Sequence, residues 1–338
     1  MVVHTLLFVL YSTVYILLPS VILLKKTGMR FKDNSFCHTV LLSYFLGLGL
    51  LIAEYWICSL VKAFWLFAAI SPVFLLLFAV LGRRRLAGEL HQRRRPDGKK
   101  VIAYLLVLLI CYTLSFIYIT LPYGELLSNS YVDLGQDFFN HTGLLASLSK
   151  GLPAGDLKVS GITLYYHYFQ DLMFGMCENI FGIPAFDLVM QCTPLMVSAV
   201  FGTALFCLLK GERQPYRKRD IVYTVCRCCF FFVFGGAWSL PLTGAGYQEG
   251  YWSWSNYHIF TSVNAGAFGL AALIAVLIFV KNAELDKTAP GQTASLTVLT
   301  AVATGAKGPF SVVFVASFVA VYLVKVIVER NIYKALAC

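Results

Sequence analysis

HTVLLSYFLGLGLLIAEYWICS, residues 38–59, is the stretch from which the fold follows. Its 22 residues hold a single Asp, Glu, Lys or Arg, the carboxylate Glu54. About 20 apolar residues in a helix cross the roughly 30 Å of bilayer hydrocarbon, so 38–59 reads as a membrane-spanning helix. Only Ser59 to Val61 separates it from a second apolar run at 62–82, so the two form a tight hairpin. Upstream, 2–24 is a third such run, stopped by Lys25-Lys26. Downstream come 101–121, bounded by Lys100 and Pro122, then about 184–209, 221–240 and 263–280.

The tail reads as two further spans. Residues 293–305 are short and rich in small side chains, and 310–328 is full length. Gly305-Ala306-Lys307-Gly308-Pro309 breaks the helix between them, since Pro lacks a donor and Gly is a poor helix former. The favoured reading is a hairpin with Lys307 at its tip; the alternative is one outward helix with 281–308 lying on the cytoplasmic surface. The fold class is thus all-α, a polytopic transmembrane helix bundle of about nine spans with a partly helical outer loop. Three regions follow: 1–121, a four-helix membrane region; 122–183, an outer-face loop; and 184–338, further membrane helices with an aromatic outer loop at 241–262.

Whole-chain composition agrees. Of 338 residues, 59% are hydrophobic and 13% charged, and the mean hydropathy is +0.73. So few charges cannot cover so much apolar chain in water, which excludes a soluble enzyme, a disordered protein and a nucleic-acid-binding domain. The net charge of +10 raises nucleic acid as a partner, but the basic residues are distributed as cytoplasmic loops are. Loops 25–36, 83–100, 210–219 and 281–292 hold 4, 8, 5 and 2 lysines and arginines, nineteen in all. The facing segments hold four: Lys62, Lys150, Lys158 and, in the hairpin reading, Lys307. This orientation puts the N-terminus outside and the C-terminus in the cytoplasm, in a plasma membrane of bacterial type. The opening MVVHTLLFVLYS lacks a basic leader and a cleavage site, so it is expected to be a retained first helix.

The ten cysteines form no disulfide framework. Cys226, Cys228 and Cys229 fall within a membrane helix with no second ligand pair at zinc spacing, and read as packing residues. Glu54 and Arg227, ionisable groups inside spans, lie near helix ends and reach the interface by snorkelling.

The chemistry is expected in the outer segments. Residues 122–187 carry seven of the 17 acids, Glu125, Asp133, Asp137, Asp156, Asp171, Glu178 and Asp187, against two lysines. Within DLGQDFFNHTGLLASLSKGLP, 133–153, Phe138, Leu144, Leu145 and Leu148 share a helical stripe, and Gly151 and Pro153 stop the helix. Helical spacing puts Asp137 and His141 on one face. They read as a base with a metal ligand or as a hydrogen-bonded pair; the plainer reading is a helix cap beside a solvated histidine. ITLYYHYFQD, 162–171, crowds Tyr166 and His167 among other tyrosines, and GYQEGYWSWSNYHIF, 246–260, presents Glu249, Trp252 and His258. Both suit an interfacial aromatic belt, or rings that stack on sugars. Lys307, one ammonium at a glycine-rich break, suits a phosphate or an interfacial anchor.

Asp137, His141, Leu148, Gly151 and Pro153, with the Tyr-His segment after them, resemble the outer loop of polytopic glycosyltransferases of the GT-C superfamily. Their pattern there is Asp-x-x-x-His followed by Leu-x-x-Gly-x-Pro. The resemblance implies transfer of a sugar from a polyprenyl-phosphate donor, with Asp137 as base for the acceptor hydroxyl and Asp133 second. It implies a divalent metal, Mg or Mn, in some members, with His141 and Asp137 as ligands here and His167 and His258 as further candidates. It also implies Lys307 at the lipid phosphate. Substrate contacts fall to His167, Tyr166, Lys307, Glu249, Trp252 and His258. Polyprenyl-phosphate sugar and membrane lipids are the expected partners, without nucleic acid. The competing reading is a multi-pass transporter or lipid flippase.

Overall fold

The structure, a computed structural model, describes residues 2–26, 36–92, 97–119, 136–155, 162–164, 168–210, 216–234, 266–282 and 290–329. Among the described residues the chain is all-α, with no strand and one isolated antiparallel bridge between Gly155 and Thr163. Helix α1 runs on through Val2–Tyr11, a π-helical Ser12–Leu17 and Leu18–Lys26. Then follow α2 (Phe36–Leu60), α3 (Phe64–Gln92), α4 (Gly98–Ile119), α5 (Gln136–Leu148) and α6 (Phe169–Phe181). Helix α7 spans Ala185–Leu209 with two π-helical stretches. The chain continues as α8 (Lys218–Phe234), α9 (Gly266–Asn282), α10 (Pro290–Ala306) and α11 (Gly308–Glu329). Four of these, α1, α2, α4 and α7, are long and apolar enough to cross a membrane.

Helix α3 corrects one boundary. It continues through Arg83–Arg85 to Gln92, ten residues past the expected end at 82. Hydropathy marks where lipid ends, whereas a helix ends where its backbone bonds stop, and arginine is a good helix former. The turn between α2 and α3 falls at Val61–Ala63. Lys62 adopts a left-handed φ of 54°. Lys62 N–H donates to the Ser59 carbonyl at 3.2 Å and Ala63 N–H to that of Cys58 at 2.9 Å. This is the Schellman pattern, which satisfies orphan carbonyls at a helix end, with lysine where glycine is usual.

Helices α5 and α6 pack into the bundle. Phe8 of α1 meets Phe174 at 5.4 Å and Tyr15 meets Phe181 at 6.3 Å. Both partners advance by seven residues, so α6 runs alongside α1 in the same direction. Tyr44 of α2 donates to Met173 Sδ at 2.9 Å. Helix α10 lies along α2, where Val298 and Val302 press against Gly49 so closely that a Cβ there would sit 2.4 Å from Val298 Cγ1.

Candidate functional site

Helix α5 presents His141, Leu144, Leu145 and Leu148 on one side, and all four are buried. Its last carbonyls are held from two directions. Tyr55 Oη of α2 donates to the Leu148 carbonyl at 2.8 Å, and Asn179 Nδ2 of α6 to that of Ser149, also at 2.8 Å. The helix ends at Leu148, before Gly151, as expected. Gly175 lets α6 approach closely: a Cβ there would lie 3.1 Å from both the Leu145 carbonyl oxygen and the Ser149 nitrogen. One turn earlier on both helices sit His141 and Asp171.

These two side chains form a buried pair. His141 Nδ1 and Asp171 Oδ1 are 2.9 Å apart, and the residues are 5% and 1% exposed. The second carboxyl oxygen, Oδ2, is buried without a hydrogen-bond partner. Burial pushes the Asp171 carboxyl above the ordinary carboxylate range, while the His141 hydrogen bond and charge and the Lys307 ammonium pull it back. Lys307 occupies the break between α10 and α11, half-buried, its N–H bonded to the Ala303 carbonyl at 3.1 Å.

A groove of about 590 Å³ opens between the start of α6 and the flank of α10. It is lined by Phe169 at the start of α6 and by Leu296, Thr297, Thr300, Ala301, Thr304 and Gly305 of α10. Thr297 and Thr304 hydroxyls turn back to the Thr293 and Thr300 carbonyls, at 3.0 and 2.8 Å, so they add little polarity. Phe169 lies two residues from Asp171 in sequence and Gly305 two from Lys307; none of Asp171, His141 and Lys307 is part of the lining.

The structure gives His141 a buried partner, Asp171, to which the sequence assigned no role. Asp137 is in the first turn of α5, but its side chain lies outside the described residues. Also outside them are Asp133, Tyr166, His167, Glu249, Trp252 and His258. His141 is not a solvated neighbour, which removes the plainer reading of that residue. Asp171 had no assigned role in the sequence, and no local spacing joins it to a residue 30 positions away. His141 did carry a signal: it is in register, i to i+3, i+4 and i+7, with Leu144, Leu145 and Leu148.

Of the residues named for a divalent metal, the side chains of Asp137, His167 and His258 lie outside the described residues. Among the described residues no three His, Cys, Asp or Glu side chains converge.

A second pair, His4 Nδ1 and Asp187 Oδ2 at 3.0 Å, joins the starts of α1 and α7. Glu54 Oε1 is buried without a hydrogen-bond partner. Arg227 lies exposed on α8, its guanidinium 5.1 Å from the Tyr223 ring. The described cysteines are all free.

No protein-family model, no curated protein and no solved structure matches the chain.

Proposed function

We propose that the chain is a GT-C-type glycosyltransferase that moves a sugar from polyprenyl phosphate to an acceptor at the outer membrane face. One observation carries this reading: a buried Asp171–His141 pair sits where α6 packs on α5, and an apolar groove lies on the flank of α10 against Phe169 at the start of α6. Such a groove suits a prenyl chain, and the Lys307 ammonium, two residues past Gly305 of its lining, is the cation proposed for the phosphate.

In the reaction, the acceptor oxygen bonds to the anomeric carbon as the carbon–oxygen bond to phosphate breaks. The electron pair leaves with the phosphate, which needs no proton, so one base suffices. Lys307 offsets the charge developing on that phosphate. The acceptor proton goes to a base on α5. Asp137 is the base that the resemblance names. His141 is the one whose placement is described: an ionised Asp171 holds the proton on Nδ1 and leaves Nε2 as acceptor. No step runs through a metal.

The proposed topology has nine spans, with the N-terminus outside and the C-terminus in the cytoplasm. The His4–Asp187 contact supports it, because both helix starts then lie on the outer side. The seating of α10 on Gly49 of α2 favours the hairpin over a helix on the cytoplasmic surface. Chemical labelling of residues 122–183 from the outside tests the orientation; labelling only from the cytoplasm defeats the glycosyltransferase reading.

A transporter is the second reading. The helix break at Lys307 and the ionisable cluster packed among helices also suit a substrate or proton path. Native mass spectrometry of gently purified protein, wild type beside Lys307→Ala, separates the two. Retained polyprenyl phosphate, lost in the variant, supports the enzyme. Retention of ordinary phospholipids alone overturns it in favour of the transporter.

A further inference from the structure

We propose that the junction of α4 and α8 is a headgroup site for an anionic phospholipid. The inference rests on the chain's membrane orientation and is independent of its enzymatic reading.

Two basic segments, distant in sequence, are held together here. Asp97 caps α4, accepting the Lys99 N–H at 3.0 Å on Oδ1, and its Oδ2 accepts the Tyr216 N–H at 3.0 Å across the gap. These two bonds and the Lys99 and Lys100 neighbourhood hold the Asp97 carboxyl below its usual range, the Tyr216 bond counting most. Tyr216 is buried, hydroxyl-bonded to Thr224, with the Lys100 ammonium 6.0 Å from its ring. It thereby fixes the start of α8 against the start of α4. The second acid, Asp220, accepts the Arg217 N–H at 2.7 Å, closing half of a capping box.

Both carboxylates are therefore occupied by backbone groups. Lys99, Arg217, Lys218 and Arg219 are exposed. Among the described residues no ion pair joins Arg217, Lys218 or Arg219 to an acid. Lys99, Lys100, Arg217, Lys218 and Arg219 stand against two carboxylates, Asp97 and Asp220, so an excess of positive charge remains, held in place by the bonds of those acids to the backbone. It stands at the end of α4, which is apolar enough to span, so the patch lies at headgroup level. Charge complementarity and this location select a lipid phosphate over a soluble one.

The test uses the full chain purified in detergent and titrated with phosphatidylglycerol or phosphatidylcholine, read by native mass spectrometry and thermal midpoint. Wild type is expected to retain phosphatidylglycerol preferentially, to gain thermal stability from it, and to lose both effects in high salt. Each basic residue near an anionic surface is worth about a fivefold preference, so the triple variant Arg217→Gln, Lys218→Gln, Arg219→Gln loses about a hundredfold. Because removing cytoplasmic charge can disturb insertion, a charge-keeping variant, Arg217→Lys with Arg219→Lys, runs beside it and keeps most of the preference. Equal retention of both lipids by wild type, or an undiminished preference in a folded triple variant, overturns the proposal. So does an equal effect from inorganic phosphate at matched concentration.

Discussion

Replacing Asp171 by Leu, His141 by Phe, and both together closes a double-mutant cycle on the buried pair. The geometry sets the expected size. The contact is 2.9 Å long, and neither residue is more than 5% exposed, so water cannot take over a lost bond. A hydrogen bond to a charged group contributes about 1.5–3 kcal/mol, and a buried partner left unsatisfied costs about 1–3 kcal/mol more. Each single variant is therefore expected to lose about 3 kcal/mol. His141→Phe is the worse of the two, because it leaves both Asp171 carboxyl oxygens buried without that partner, Oδ2 having none to begin with. In the double variant both polar groups are gone and two apolar side chains of similar volume meet, an exchange that can be close to neutral. The singles thus overstate the double, with a coupling energy of about 2 kcal/mol or more. Steric-trap unfolding in micelles at neutral pH measures all four free energies. Additivity within about 0.5 kcal/mol would show that the two side chains do not act as a pair, and the site would have to be rebuilt around another residue.

Three further outcomes follow from the packing. Gly175→Val forces a branched side chain against the Leu145 and Ser149 backbone, 3.1 Å from where its Cβ would sit; it should cost about 2–3 kcal/mol and weaken the Asp171–His141 coupling, and a neutral substitution would mean that α5 and α6 are not in close contact. Burial raises the carboxyls of Asp171 and Glu178, in Glu178 against a Ser149 hydrogen bond and the Lys150 charge. In the window between the ordinary carboxylate value, about 4, and those raised values the folded state holds more protons. Stability is then complete below that window and falls as pH climbs through it; subtracting an Asp171→Asn profile should isolate the Asp171 share, and a difference curve that rises with pH contradicts the assignment. Lys62→Gly relieves a left-handed residue at φ 54°. Relief of about 1–2 kcal/mol against a chain-entropy cost of about 0.5–1 kcal/mol leaves a gain below about 1 kcal/mol, and a lower unfolding midpoint in Lys62→Gly would show that the lysine side chain anchors the turn.

What could be read from the residues depended on the range of the forces involved. Burial in lipid acts on every residue of a span at once, so 38–59 is legible without its neighbours and the helix is Phe36–Leu60. The end of α3 was not legible that way, because Arg83–Arg85 changes the solvent around the helix and leaves its hydrogen bonding intact. His141 lies between the two cases. Its register with Leu144, Leu145 and Leu148 places it on the buried stripe, and a buried imidazole needs a partner. The identity of that partner is a different kind of fact. Seven acids stand in 122–187, and Asp137, one turn from His141 on the same helix, is favoured by spacing alone. Asp171 reaches His141 because Gly175 brings α6 close to α5 and because α6 lies along α1 from Phe174 to Phe181. Those packing contacts are apolar, and nothing in their sequence pattern points to the acid. In α6 all residues from Gln170 to Cys177 are buried, so its polar side is covered by the bundle and does not mark a face left to water. A carboxylate inside such a helix must find its partner in the tertiary structure, and a proposed role for it stands or falls with the helix crossing that supplies one.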